Sequence, residues 1–242
     1  MMRIRVRALV ALVALPGAAW AGPPYVTDDP QPTDLDHWEI YAFGAGQRAH
    51  GSWDGAAGLD LNYGGLPGVQ LTATLPVDLS HDSSGTHAGG GDVELGVKYR
   101  FLHREAAGLD IAVFPRVILP TARRRFGTGR AQVLLPVWAE KDWGRWSLFG
   151  GGGYTINPGA GNRDFWQGGA ALTRTVSERL SLGAEATLEG PDAVGGHAVA
   201  GLGVGGVFRL GGPFALLVSG GPIHEHHGPT GWRGYAALGI NF

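Results

Sequence analysis

Residues 92–101 alternate between apolar and polar side chains with a period of two, which is the period of an extended strand. One face of that strand would carry five apolar residues: Val93, Leu95, Val97, Tyr99 and Phe101. The other face would carry a glycine and three charged residues: Gly96, Glu94, Lys98 and Arg100. No helical spacing fits as well. The first face therefore requires lipid or a protein core, and the second requires water.

The same kind of strand recurs along the whole chain. Twelve strand-like runs cover residues 37–45, 56–63, 69–77, 92–101, 109–119, 131–141, 146–154, 165–176, 180–189, 197–209, 214–221 and 232–242. Most of them are long enough to cross a bilayer at the usual tilt of a barrel strand. Connections after the even-numbered runs are short, whereas those after the odd-numbered runs are mostly longer and polar, residues 78–91 being the longest. This predicts an all-β fold, an antiparallel transmembrane β-barrel of about 12 strands with short periplasmic turns and longer extracellular loops.

Aromatic residues support this topology, because such barrels carry aromatic girdles at both membrane interfaces. The outward positions near the periplasmic ends include Trp38, Tyr63, Phe101, Trp146, Phe208, Phe214 and Phe242. Those near the outer ends include Tyr154, Trp166 and Trp232. The last strand is apolar at alternate positions up to Phe242, which resembles the C-terminal signature of outer-membrane proteins and predicts the barrel assembly machinery as a partner.

Three segments follow from the pattern. Residues 1–21 have a basic start, an apolar stretch and a small-x-small site ending at Ala21, which predicts a cleaved signal peptide. Residues 22–36 form a proline-rich acidic segment, here called the lead, whose prolines exclude a regular helix or central strand. It is either a free tail or a segment tucked against the fold, with a plug from below as one possibility. Residues 37–242 would form the barrel.

Composition narrows the class of protein. The chain has 43 glycines and no cysteine, which favours a turn-rich β protein without disulfides. Removal of three arginines with the signal leaves 16 basic against 21 acidic residues, a net charge of −5 that gives no reason to expect nucleic acid. No stretch reaches 18 apolar residues, so no transmembrane helix is predicted. We therefore expect export to the outer membrane of a Gram-negative bacterium.

Four patches of the sequence resemble one known family. They are residues 24–30 (Pro-Tyr-Val-Thr-Asp-Asp-Pro), 37–39 (His-Trp-Glu), 91–100 and 151–162. The chain is similar at these patches to the outer-membrane family labelled as the MetA pathway of phenol degradation. The resemblance implies an outer-membrane barrel with a role in transport. It supplies no substrate and no catalytic residue.

Charged residues on the inward face predict a polar lumen, since an arginine or lysine facing lipid at the midplane costs about 2–4 kcal/mol. The candidate lumen-lining residues are Glu39, Tyr41, Asp60, Glu94, Lys98, Arg100, Asp110, Arg116, Glu140, Glu185 and Arg233. Both signs are present, so we expect no strong selectivity for either. If residue numbers on neighbouring strands sum to 210, Glu94 faces Arg116 and Arg100 faces Asp110.

The predicted function is a channel or transporter with a narrow polar diffusion pathway for small molecules, aromatic or apolar ones among them, that needs no cofactor. Inward glycines are expected to widen it: Gly183, Gly201, Gly203, Gly205 and Gly239. Inward Phe43, Trp138, Phe149 and Tyr235 are expected to narrow it and to stack against a flat solute. The alternatives are a structural or receptor-like barrel with a filled interior and, third, a barrel enzyme acting on lipid. No motif places a nucleophile and a base together, so no catalytic residue is assigned.

Two loop clusters could bind ligands. His224, His226 and His227 are weak metal candidates, because a glycine- and proline-flanked loop offers no fixed geometry. Arg123, Arg124, Arg125 and Arg130 could hold lipopolysaccharide phosphates or attract anions at the mouth. The expected partners are therefore outer-membrane lipid, lipopolysaccharide and a small solute.

Overall fold

A computed structural model describes residues 24–49, 52–122, 126–127, 129–228 and 230–242. The predicted signal peptide lies outside these residues. Within the described residues, fourteen strands make up one antiparallel sheet. They are β1 Trp38–Ala49, β2 Ser52–Leu66, β3 Val69–Asp82, β4 Gly85–Gly90, β5 Val93–Arg104, β6 Leu109–Val113, β7 Arg116–Leu119, β8 Gln132–Trp143, β9 Trp146–Ile156, β10 Phe165–Ser177, β11 Leu180–Glu189, β12 Val199–Gly211, β13 Phe214–Glu225 and β14 Thr230–Asn241.

The sheet closes into a barrel with twelve wall positions, because two of these positions are each occupied by an interrupted strand. β3 pairs with β4 at residues 77–82 and with β5 at residues 69–74. β6 and β7 likewise both lie between β5 and β8. β1 pairs with β14, and reciprocal backbone bonds between Trp38 and Phe242 of 2.7 and 3.0 Å complete the seam. The prediction of an antiparallel barrel of about 12 strands is confirmed.

The strands are longer than the sequence suggested, mainly at the end opposite the termini. Residues 78–91, predicted to be the longest loop, instead continue β3 and form β4 around a two-residue turn at Ser83 and Ser84. Residues 46–55, predicted to connect the first two runs, mostly extend β1 and β2. The long connections are 120–131, 157–164 and 190–198. At the terminal end the turns are short, and Gly144 takes a positive φ of 61° that favours glycine.

The two faces of the wall differ as the alternation predicted. Along β5, Leu95, Val97 and Tyr99 point outward and are 45%, 42% and 47% exposed, whereas Lys98 between them is 1% exposed. Similar rows of exposed Leu, Val, Trp and Phe surround the barrel. An apolar exterior of this extent suits lipid rather than water. Among the described residues there is no helix long and apolar enough to cross a membrane.

The register beside β5 differs by two residues from the predicted pairing. Gly96 rather than Glu94 lies opposite Arg116, and Ala112 rather than Asp110 lies opposite Arg100. A shift of two keeps every side chain on its face. Both predicted ion pairs therefore form diagonally, with N–O distances of 3.3 Å for Arg116–Glu94 and 3.6 Å for Arg100–Asp110. A bulge at Phe101 then changes the register again and places His103 opposite Asp110.

Candidate solute pathway

The described part of the lead, from Pro24 onward, lies inside the barrel. Thr27, Asp29 and Thr33 are 1%, 6% and 3% exposed, although no regular secondary structure protects them. Each contacts side chains that point inward from the wall. The sequence left open whether the lead is a free tail or a segment tucked against the fold. In the structure it is tucked into the lumen.

The tip of the lead is bound to β11 and β13. The Glu185 carboxylate accepts hydrogen bonds from the backbone N–H of Val26 and Thr27 at 3.0 Å each, and from the Thr27 hydroxyl at 3.1 Å. Ser219 donates its hydroxyl to the Pro24 carbonyl. Because one carboxylate receives three donors, Glu185 is the strongest single anchor of the tip.

The Tyr25 ring packs beside Phe149, with ring centroids 6.1 Å apart. A Cβ added to Gly183 would lie 2.6 Å from the Tyr25 hydroxyl oxygen, and one added to Gly169 would lie 2.4 Å from Thr27 Oγ1. The space that Gly183 was predicted to open for solute is therefore filled by the lead. Burial and the nearby Glu185 carboxylate raise the pKa of Tyr25, so its phenol remains neutral.

The middle of the lead joins the charged residues of β5. Lys98 Nζ lies 2.9 Å from Asp28 Oδ1 and 3.7 Å from Asp29 Oδ1. Gln31 donates its amide to Asp110 and Glu140 at 2.7 and 2.6 Å. Its amide oxygen accepts a hydrogen bond from Arg100. A buried ammonium is tolerated here because two carboxylates of the lead surround it.

The base of the lead is fixed to β2 and β3 at the terminal end of the barrel. Thr33 donates its backbone N–H to the Gln70 side chain at 2.8 Å, and Asp36 donates its own to the Gly64 carbonyl at 2.8 Å. A Cβ on Gly64 would lie 1.9 Å from the Asp34 carbonyl oxygen, so only glycine permits this approach. Asp36 has a positive φ of 61° as the chain turns into β1.

The structure places all eleven candidate lumen residues on the inward face. Seven of them belong to the contacts already described: Glu94, Lys98, Arg100, Asp110, Arg116, Glu140 and Glu185. Of the others, Glu39 accepts a hydrogen bond from Tyr41 at 3.0 Å, and Asp60 accepts one from Thr74 at 3.2 Å. Arg233 donates to Thr187 at 2.9 Å and lies 3.8 Å from Glu185. The sequence missed the buried inward residues Gln70 and Asn62, where the Gln70 amide donates to the Asn62 side-chain oxygen at 2.7 Å. Neutral amides on alternate positions give no charge signal.

Among the described residues, three cavities adjoin the tip of the lead. The largest, about 750 Å³, has Asp54, Asp78, Arg233 and Tyr235 among its lining residues. Two smaller ones, about 220 and 330 Å³, border Asp60 and Trp138 respectively. Val26 lines all three. Of the predicted inward aromatics, Phe43 stacks on Tyr235 at 6.3 Å, while Trp138 and Phe149 are almost fully buried.

The histidines of the last loop lie close together without forming a metal centre. The rings of His226 and His227 have centroids 3.8 Å apart, and His197 lies 5.9 Å from His227. His224 instead contacts the Thr230 hydroxyl. Within the described ranges no three His, Cys, Asp or Glu side chains are grouped as metal ligands would be. Of the loop arginines, Arg123, Arg124 and Arg125 lie outside the described residues, and Arg130 is exposed.

One turn brings together serine, histidine and aspartate. Ser84 Oγ lies 3.1 Å from His87 Nε2 and 2.5 Å from Asp82 Oδ1. In a hydrolase triad the acid orients the histidine, whereas here Asp82 accepts from the serine itself. The turn is also open to solvent, so this contact matches a turn-capping arrangement better than a catalytic one.

Comparison with known proteins relates this chain to outer-membrane barrels by fold. An outer membrane channel from Pseudomonas putida F1 superposes with a TM-score of 0.67 at 15% identity, over 92% of this chain and 100% of that one. The NanC porin gives 0.60 at 9% identity, over 84% and 98%. The translocator domain of the autotransporter NalP from Neisseria meningitidis gives 0.56 at 16%, over 86% and 90%. No protein-family profile and no curated protein matches the sequence, so the resemblance to the phenol-degradation family stays a prediction.

Proposed function

We propose that this protein is an outer-membrane channel that gives small molecules a narrow polar pathway. The lead closes the part of this pathway that lies nearer the chain termini. The observation that carries the proposal is the contrast between the two faces of a closed wall. The outside is apolar, whereas the inside holds charged side chains and three cavities that share Val26 as a lining residue. A polar lumen with cavities of this size is the arrangement expected of a barrel that small solutes enter.

The likeness to an outer membrane channel and to a porin supports this class of function. It also supports residence in the outer membrane of a Gram-negative bacterium, reached through the predicted signal peptide and the barrel assembly machinery. A fold does not decide a function, since an autotransporter domain has the same architecture. Lipid and lipopolysaccharide contact with the exterior belongs to the same proposal.

The solutes we propose are small, with flat or partly apolar ones included. The stacked pair Phe43 and Tyr235 faces the cavities and offers ring surface to such a solute. Two of the cavities, at about 330 and 750 Å³, are in the range of sites for small ligands.

A filled barrel without passage is the second candidate, and the bound lead favours it. Ion pairs and hydrogen bonds hold the lead at three levels of the wall, namely at Glu185, Lys98 and Gln70. In that case the lumen would be a structural core and the cavities would be closed to solute.

Planar-bilayer recordings and liposome swelling distinguish the two candidates. We expect the wild-type chain to pass small ions weakly and a variant lacking residues 22–36 to conduct several times more. The control for insertion is a gel assay of heat-modifiable migration, which reports the folded barrel of both proteins. If both fold and neither conducts nor admits small sugars and phenols, the channel proposal is wrong and the filled barrel stands.

A further inference from the structure

The outward face of the barrel carries few charged side chains, and on the described strands all of them are basic. This face is the one that carries exposed apolar residues such as Val97, Leu148 and Leu172. Every aspartate and glutamate of the described strands lies at an alternate position and therefore on the inward side. The outward lysine and arginine residues are Arg48, Arg104, Lys141 and Arg174. The exterior of the wall is therefore positive wherever it is charged.

Three of these bases, Arg104, Lys141 and Arg174, lie near one another at the terminal end of the barrel and are called the outward basic cluster. Arg104 of β5 and Lys141 of β8 are both paired with Leu109, which lies between them on β6. Because neighbouring strands lie about 4.8 Å apart, their backbones are about 10 Å apart. Arg174 of β10 is paired with Trp146 of β9, the strand next to β8. Each base lies within three residues of the end of its strand.

The outward basic cluster has no acidic partner among the described residues. No Asp or Glu oxygen there lies within 4.0 Å of a nitrogen of Arg104, Lys141 or Arg174. Arg174 Cζ lies 5.2 Å from the centroid of the Trp146 ring, and Lys141 donates to the Ala107 carbonyl in the turn after β5. All three side chains are exposed, so their charge is available to a ligand outside the barrel.

The turns beside the cluster do not cancel its charge. Residues 104–109, 141–147 and 174–180 form the strand ends and turns there, and all of them are described. They contain five basic residues, Arg104, Lys141, Arg145, Arg174 and Arg179, against three acidic ones, Glu105, Asp142 and Glu178. This part of the surface therefore has an excess of two positive charges.

The position of the cluster on the wall favours a lipid headgroup as its ligand. Leu148 and Leu172 continue the row of pairs that starts at Lys141, and they are 45% and 41% exposed, which suits acyl chains. Tryptophan rings such as Trp143 and Trp146 are typical of the headgroup level. Arginine and lysine keep their apolar stems along the wall and extend their cationic ends to the same level, where a guanidinium can donate to phosphate oxygens.

We propose that the outward basic cluster binds the headgroup of an anionic phospholipid in the leaflet at the terminal end of the barrel. The phosphodiester would accept from the cluster, while the acyl chains lie on Leu148 and Leu172. A headgroup with an ammonium group of its own would be repelled by the excess positive charge, so phosphatidylglycerol should bind better than phosphatidylethanolamine. The site goes beyond the proposed channel function, because it requires insertion into a bilayer but not the passage of solutes.

Competition between these two lipids tests the site. The full chain in a neutral detergent is mixed with equal amounts of phosphatidylglycerol and phosphatidylethanolamine that have the same acyl chains, and native mass spectrometry counts the bound lipids. We expect the wild type to retain phosphatidylglycerol at least about fivefold more often, the effect of one basic residue near an anionic membrane surface. Equal retention of the two lipids overturns the proposal. A barrel that never conducts can still confirm it.

Variants assign the preference to the cluster. We expect the triple change Arg104→Gln, Lys141→Gln and Arg174→Gln to remove most of the preference, and Arg174→Gln alone to reduce it. A preference that the triple variant retains overturns the proposal. Heat-modifiable migration reports whether each variant folds, and if the triple variant does not, an unchanged preference in Arg174→Gln overturns the proposal in its place.

Two further arginines control for position. Arg209→Gln removes a base at the same end of the barrel but on the inward face, since Arg209 is paired with the fully buried Ala215. Arg48→Gln removes the outward base at the opposite end, where Arg48 is paired with Trp232. We expect both variants to keep the preference for phosphatidylglycerol. Its loss in either of them, with Arg174→Gln unchanged, would place the lipid elsewhere and overturn the proposal.

Discussion

Lys98 Nζ on the barrel wall lies 2.9 Å from Asp28 Oδ1 on the lead, and the lysine is 1% exposed. This contact joins two parts of the molecule that the sequence suggests separately: an alternating strand and an acidic proline-rich segment. The strand places a cation where no water reaches it, and the lead supplies the carboxylate that makes this tolerable. The buried charge of the wall at Lys98 is therefore balanced by the lead.

The first prediction concerns Glu185, which accepts three hydrogen bonds from the tip of the lead. Glu185→Gln keeps the shape of the side chain and removes its charge. Hydrogen bonds to a charged group contribute about 1.5–3 kcal/mol, so the tip should open about 10- to 100-fold more often. Hydrogen exchange at the Val26 and Thr27 amides measures this opening. The control is Glu105→Gln, which changes an exposed carboxylate in the turn between β5 and β6. Unchanged exchange at both amides in Glu185→Gln would contradict the role of Glu185.

The second prediction concerns the glycines under the lead. Gly183→Ala places a Cβ 2.6 Å from the Tyr25 hydroxyl and 2.7 Å from the backbone carbonyl oxygen of Leu172, so either the Tyr25 ring or the neighbouring strand must move. Gly44→Ala is the matched control, because nothing lies within 4 Å of its added Cβ. We expect Gly183→Ala alone to raise single-channel conductance while both variants fold. Equal conductance in the two variants would show that Tyr25 does not restrict the pathway.

The third prediction compares neighbours on β5 that face opposite sides. Val97→Arg puts a charge on the outward face and should cost about 2–4 kcal/mol if the residue lies near the bilayer midplane. Lys98→Glu changes an inward residue and repels Asp28, so it should expel the lead and leave the wall able to insert. The fraction of heat-modifiable barrel in liposomes measures assembly. Equal loss for both variants would show that the assigned faces are wrong.

The alternation of apolar and polar residues predicted the two faces of the barrel wall, because it depends only on which side of its strand each residue lies. The ion pairs Arg116–Glu94 and Arg100–Asp110 formed although the register moved by two, since such a shift preserves the faces. The bulge at Phe101 could not be predicted, because one extra residue in a strand leaves no mark in its composition.

The position of the lead was also beyond the sequence. Its contacts are polar bonds to residues far away in the sequence, such as Thr33 to Gln70, and a segment without a period carries no signal for which face it buries. One sign could have been read: Gly64, Gly169 and Gly183 leave space on the inner wall. From the sequence the space at Gly183 was assigned to solute, whereas the structure fills the space at all three glycines with the lead.

The seam between β1 and β14 has a consequence for the order of folding. Asn241 donates its side-chain amide to Glu39 across a separation of 202 residues, so the barrel closes only when nearly the whole chain is present. Contacts of such long sequence separation are costly in entropy and form late. The partners of the lead lie on β2, β3, β5, β6, β8, β11 and β13, and they surround it only after closure. The segment that is translated near the start therefore becomes ordered near the end.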